Sequence, residues 1–181
     1  MTAEFKILFA LLSATVILPL SSAAQQQRGF AFGGTWSSRQ CGISASISPE
    51  AGLFNEISIS ADLWDVLDGS EACPGLIASY DRIYSIQTWS HRDSDISLFI
   101  GPGYSAGWVL DRGKDWGWLA GMDVIVGIMA SFRTPVDLCF GFKAILGLHA
   151  DVNSTHNSTL TFYKNGYQRA YLPELRIRYR F

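Results

Sequence analysis

Three observations in this 181-residue chain predict an all-β fold, an eight-stranded antiparallel up-and-down transmembrane β-barrel. Short segments alternate apolar and polar residues, their number is even, and aromatic side chains gather at both sets of segment ends. The terminal stretch from Leu172 to Phe181 shows the alternation most plainly. Pro173, Leu175, Ile177, Tyr179 and Phe181 fall on one face, and Leu172, Glu174, Arg176, Arg178 and Arg180 on the other. In a soluble sheet the apolar face turns inward. In a membrane barrel it turns to lipid, the polar face lines the lumen, and aromatics mark the rims.

The N-terminus points to export. Met1 to Lys6 is short and carries a lysine, and Ile7 to Leu20 is an apolar run broken only by Ser13, Thr15 and Pro19. Ser22, Ala23 and Ala24 then supply small residues where a signal peptidase cuts. Residues 1–24 therefore read as a signal peptide and 25–181 as the barrel domain. The apolar run is too short to span a bilayer as a helix, and no other segment approaches the length required. Net charge is −2, without the basic excess that a nucleic-acid partner calls for. Mean hydropathy is positive although the apolar runs are short, as a closed barrel requires. Three cysteines leave at least one unpaired within the chain. Cys41 and Cys73 both read as loop residues at one end and could form a disulfide, while Cys139 sits near the other end and stays free.

Period-two segments separated by turn residues give the strands in order. Gly29 to Ser38 places Phe30, Phe32 and Trp36 on one face. Cys41 to Phe54 sets Ile43, Ala45, Ile47 and Leu53 against Ser44, Ser46, Ser48 and Glu50. A turn at Phe54, Asn55 and Glu56 leads to a third strand, where Ile57, Ile59, Ala61 and Leu63 oppose Ser58, Ser60 and Asp62. Asp68 to Gly75 is a loop. The fourth strand, Leu76 to Ser90, has an ambiguous phase. Turning Tyr80, Tyr84 and Ile86 outward also exposes Arg82, the opposite choice exposes Asp81, and a bulge could flip the phase.

After a polar turn at Ser90 to Asp95, the fifth strand sets Ile96, Leu98, Ile100, Tyr104, Ala106 and Trp108 against Ser97, Gly101, Gly103, Ser105 and Gly107. The sixth carries Trp116, Trp118, Met122, Val124, Val126, Ile128 and Phe132 on one face, with Gly117, Gly121, Asp123, Gly127, Ser131 and Arg133 on the other. A turn at Thr134 and Pro135 opens the seventh. There Leu138, Phe140, Phe142, Leu146 and Leu148 oppose Asp137, Cys139, Gly141, Lys143, Gly147, His149 and Asp151. The terminal strand is the eighth.

Connections after the second, fourth and sixth strands are short and polar, whereas those after the third and seventh are long, the asymmetry of periplasmic turns and external loops. Trp36, Trp64, Trp108, Trp116 and Trp118 then lie at external strand ends. Phe54, Phe132, Tyr179 and Phe181 lie at periplasmic ends, completing two aromatic girdles. Asn165-Gly166 signals a hairpin between Leu160–Tyr163 and Tyr167–Tyr171, projecting beyond the membrane. Asn153 to Ser158 is an insertion before it. The triplets starting at Asn153 and Asn157 match glycosylation acceptors but carry little meaning in a bacterial chain.

With its leader, eight alternating segments and terminal Tyr179-Arg180-Phe181, the chain resembles the small eight-stranded outer-membrane barrels of Gram-negative bacteria, the OmpA/OmpX-like transmembrane barrels. The resemblance covers Gly29 to Phe181. It implies a location in the outer membrane, contact with outer-membrane lipid and lipopolysaccharide, and recognition of the C-terminal strand by the barrel-assembly machinery. A monomer and no cofactor are expected. Members of that class include passive anchors, adhesins, small-solute pores and lipid A-modifying enzymes, so the fold does not select the function.

An eight-stranded barrel is only wide enough inside for its own side chains. Glu50, Asp62, Asp123, Lys143, Glu174, Arg176 and Arg178 all point inward on this register. Buried charges need partners, so they read as a salt-bridge network that replaces a hydrophobic core. A structural or surface-interacting barrel is the first reading. A lipid A-modifying enzyme is the second, with His149, Asp151, Ser154 and His156 as weak catalytic candidates near the external end of the seventh strand. A small-solute channel is the third. The spacing of these residues carries no metal-ligand signature.

Overall fold

The computed structural model describes residues 29–50, 52–67, 69, 73–111, 116–151 and 160–181. The proposed leader, Ser154, His156 and both glycosylation-like triplets lie outside the described residues, as does the side chain of Glu50. Nine strands form: β1 (Phe30–Ser37), β2 (Gln40–Glu50), β3 (Leu53–Asp62), β4 (Gly75–Ser90), β5 (Ser94–Leu110), β6 (Trp116–Phe132), β7 (Val136–Asp151), β8 (Leu160–Phe162) and β9 (Pro173–Arg180). Each of the first seven pairs antiparallel with the next, and β9 pairs with both β1 and β7, closing an eight-stranded barrel. The three residues of β8 pair with Leu148–Ala150 of β7, beyond the stretch that β9 occupies.

The stagger of the strands can be read from the register. Cross-strand partners followed from Tyr179 through Phe32, Ala45, Ile57, Tyr80, Tyr104 and Met122 arrive at Leu146 on β7. Tyr179 itself pairs with Val136, ten residues earlier. A shear of that size tilts the strands and leaves an interior that side chains can fill.

Alternation puts the large apolar residues outside. Ile43, Ile57, Tyr104, Ile128, Leu146 and Ile177 are all exposed, while serines and charged residues are buried within. The interior is not wholly polar, however. Phe54, Ile83, Phe99, Ile125, Met129 and Cys139 form one buried apolar cluster, and Ile77, Val109, Leu119, Ile145 and Tyr163 another. Parity along each strand predicts inward positions for most of these residues, but composition alone suggested an entirely charged filling.

Four sequence expectations need correction. The turn between β2 and β3 lies at Gly52, whose φ of 75° is reached at little cost without a Cβ, and not at Phe54–Glu56. Phe54 and Glu56 are therefore strand residues pointing into the lumen, and Phe54 is no part of a rim. Arg133 is exposed at the β6–β7 turn and pairs with Asp93 at 3.6 Å instead of lining the lumen. Cys41 and Cys73 are both free thiols. Cys41 projects from the outer face of β2, with Ala61 and Leu76 next in its cross-strand row, while Cys73 precedes β4.

The fourth correction concerns Asn165-Gly166, which makes no hairpin. Lys164–Gln168 is a short helix continued by a single 3₁₀ turn at Arg169–Tyr171. Both Asp111 carboxylate oxygens accept from the Lys164 backbone N–H at 3.0 Å, and one accepts from Asn165 N–H at 3.1 Å. A carboxylate from the far side of the barrel mouth thus caps the helix start, overriding the local turn propensity. Gly166 lets the helix sit directly on the Ile145 carbonyl, where any side chain would collide. The phase of β4 is settled by a register shift between Ser85 and Gln87. Before it, Asp81 points inward and Arg82 outward.

Candidate functional site

The lumen holds three connected groups of polar side chains. Nearest the end where β1 begins and β9 finishes, β9 contributes a column of arginines. Arg176 pairs with Glu56 of β3 and donates to Glu174 at 2.6 Å. Arg178 reaches the other Glu56 oxygen at 3.3 Å and Asp137 of β7 at 3.4 Å, with its guanidinium 4.4 Å above the Phe54 ring. Arg180 also contacts Asp137, at 3.2 Å, and donates to the carbonyls of Phe132 and Thr134. The column follows directly from period-two spacing, and each guanidinium meets acids on other strands.

The second group is centred on Lys143 of β7. Its ammonium lies 2.8 Å from Asp81 of β4 and 3.3 Å from Asp123 of β6. Ser105 donates to Asp123 and lies 2.7 Å from Ser79. Gly103 makes the gathering possible, because a Cβ there would strike both carboxylates. Asp81, Asp123 and Lys143 are all buried, so each depends on the others for the hydrogen bonds that water would have supplied.

The third group closes the opposite mouth. Tyr163 donates to Asp62 at 3.0 Å, Arg169 pairs with the same carboxylate, and Arg169 donates to Gln40 at 2.9 Å. His149 stacks on Tyr163, their centroids 6.4 Å apart. One imidazole nitrogen faces the Val109 carbonyl at 3.0 Å and the other faces Asp151 at 2.7 Å. Burial raises the Tyr163 phenol well above its ordinary pKa, the Asp62 and Asp111 carboxylates adding to the effect while Arg169 opposes it. Together the helix, the 3₁₀ turn and Tyr163 form a lid on the upper apolar cluster.

The structure therefore brings together Asp123 and Lys143, joins Glu174, Arg176 and Arg178 through Glu56, and sets Asp62 apart in the lid. Sequence reasoning placed Asp137 on the inner face without counting it in the network, and missed Glu56, Asp81, Asp111 and Arg169 as members. Glu56 and Asp81 were legible by parity from Ser58 and Ser79. Asp111 and Arg169 lie outside the barrel strands, where no parity rule applies. Of the catalytic candidates, His149 and Asp151 do meet, but the histidine is fully buried inside the barrel. Among the described residues, no group of three or more His, Cys, Asp or Glu side chains is placed to hold a metal ion.

Outside, Trp36 and Trp118 are exposed, Trp108 packs edge-on against Trp118 at 5.1 Å, and Trp116 is half-buried. Trp64 sits off the barrel in a short helix, Trp64–Leu67, under the Arg39 guanidinium. Phe132, Tyr179 and Phe181 are exposed at the terminal end, along with Trp89, which sequence reading left unplaced.

No protein-family model matches the chain, and no curated protein matches it by sequence. Among solved structures, the N-terminal β-barrel domain of Pseudomonas aeruginosa OprF aligns over 87% of this chain and 100% of that domain, at 10% identity with a TM-score of 0.50. The fold is that of a small outer-membrane barrel. A major outer membrane protein from Thermus thermophilus aligns over 86% of this barrel chain and 100% of its own, at 10% identity and a TM-score of 0.42.

Proposed function

We propose that the chain is an integral outer-membrane β-barrel with a structural or surface-interacting role and a lumen that does not conduct. Residues 1–24 serve as a cleaved signal peptide, β9 is the strand read by the assembly machinery, and the barrel works as a monomer without cofactor. The observation that carries the reading is the plugged interior. Two ion-paired groups interleave with two apolar clusters, and a lid covers the upper one. A wet path would have to pass all of these buried side chains.

The outer surface supports the membrane placement. Its exposed residues are apolar along the strands and aromatic at both ends. A groove of about 960 Å³, floored by Ala78, Ala106 and Ala120 and walled by Tyr80, Tyr104 and Leu146, suits an acyl chain of outer-leaflet lipid or lipopolysaccharide. These three alanines follow one another in a single cross-strand row.

Planar-bilayer recording of the refolded barrel tests the plug. No steady conductance is expected, and a stable open level would overturn the reading. Lipid A mass spectra from cells with and without the protein test catalysis. Identical spectra are expected, since His149 is fully buried behind Tyr163, out of reach of a substrate.

A further inference from the structure

Arg82 is an exposed cation on a largely apolar surface, with Asn55 as its cross-strand partner on β3. Its neighbours Asp81 and Ile83 point into the lumen, so its own side chain points toward lipid. Along β4 it lies between Leu76, whose cross-strand row holds Trp108 and Trp118, and Trp89 near the opposite end. That position lies between the two aromatic rims, two residues from the end of the β3–β4 pairing at Tyr84. Among the described residues no carboxylate pairs with it. The contact it does make is with the Tyr84 ring, 5.7 Å from the guanidinium. Tyr84 is the next outward residue toward the periplasmic end, so the side chain is turned to that side of the membrane.

The wall beside it is incomplete. Pairing of β3 with β4 stops at Leu53 and Tyr84, and the last backbone bond across this seam runs from Ser85 N–H to the Gly52 carbonyl. Beyond that point, among the described residues, Gln87–Ser90 pair with β5 alone. The short β2–β3 hairpin and the long β4–β5 hairpin therefore leave a notch in the periplasmic rim. One edge of β4 is open within it. Polar groups border its upper end, where Tyr80 donates to Asn55 at 3.0 Å.

We propose that this notch is a binding site for an anionic phospholipid of the inner leaflet, with Arg82 holding the headgroup phosphate. The inference rests on the membrane-barrel reading above. A guanidinium between the aromatic rims needs an anion, and the fork geometry of arginine matches phosphate oxygens. The notch gives a headgroup a path to rise to it, and the backbone N–H groups of Gln87–Ser90 that face away from β5, without a strand partner among the described residues, offer further donors. A second copy of this chain packed about a two-fold axis would bring two arginines together, so charge favours the lipid.

The full chain, refolded in nanodiscs of phosphatidylcholine with a minor fraction of phosphatidylglycerol, provides the test. Native mass spectrometry counts the lipids released with the barrel. Wild type should retain phosphatidylglycerol several-fold above the bulk ratio, Arg82→Gln should fall to that ratio, and Arg82→Lys should lie between. An excess of inorganic phosphate should not displace the lipid. Equal enrichment in wild type and Arg82→Gln, or displacement by phosphate, would overturn the site. Heat-dependent gel mobility of each sample reports insertion separately. A wild type that never inserts refutes the barrel reading, whereas one that inserts without discriminating lipids refutes only this site.

Discussion

Lys143 faces two carboxylates at once, and Glu56 faces two guanidiniums. Such shared partners make single removals costly, because a buried charge is left behind. Lys143→Met is expected to destabilise the refolded barrel by about 3–5 kcal/mol, read as a lower urea midpoint in vesicles. Adding Asp81→Asn and Asp123→Asn should recover most of that loss, since the orphaned charges go with the ammonium. Tyr163→Phe removes a hydrogen bond to a charged acceptor and is expected to cost about 1–3 kcal/mol. Because the folded state raises the Tyr163 pKa, its stabilisation is complete below the unfolded phenol value of about 10 and declines as pH rises above it. Unfolding midpoints measured across that range should fall in wild type and fall less in the phenylalanine variant.

At the scale of elements, the lid depends on Asp111, a residue more than fifty positions from the helix it caps. Asp111→Ala should speed amide hydrogen exchange across Lys164–Tyr171 while leaving the barrel strands protected, a local loss of about 0.5–2 kcal/mol. The same contact explains why this segment was illegible in sequence. Asn165-Gly166 carries a strong local turn signal, and nothing nearby announces a distant carboxylate. The strands were legible because parity is local: once one serine of β3 is inside, Asp62 is inside too. The β2–β3 turn was read late in the chain, since Phe54 and Asn55 resemble turn and rim residues, and that misplacement hid Glu56. Ion-pair partners were beyond reach for another reason. Which heights align across the lumen depends on shear, and shear is a property of the closed ring.

For the whole molecule, on the non-conducting proposal above, both the lid and the charged groups act as plugs. Replacing residues 160–172 with a short flexible linker should leave heat-dependent gel mobility intact. Bilayer recordings of that variant are expected to stay silent, because Lys143, Arg176 and Arg178 still fill the section beneath. A conducting lid-deletion barrel would show that the lid alone seals the lumen. The order in which these charges occur along the chain has a consequence for assembly. Strands β3, β4, β6 and β7 bring Glu56, Asp81, Asp123 and Asp137 to the inner wall against Lys143, while Arg176 and Arg178 arrive only with β9. Until the final strand docks, the open sheet is a concave anionic surface. The strand that shuts it brings the guanidiniums that pair with Glu56 and Asp137, so ring closure and the pairing of these two acids coincide. A mis-registered closure would seal unneutralised carboxylates inside, a penalty that lets the molecule proofread its own last step.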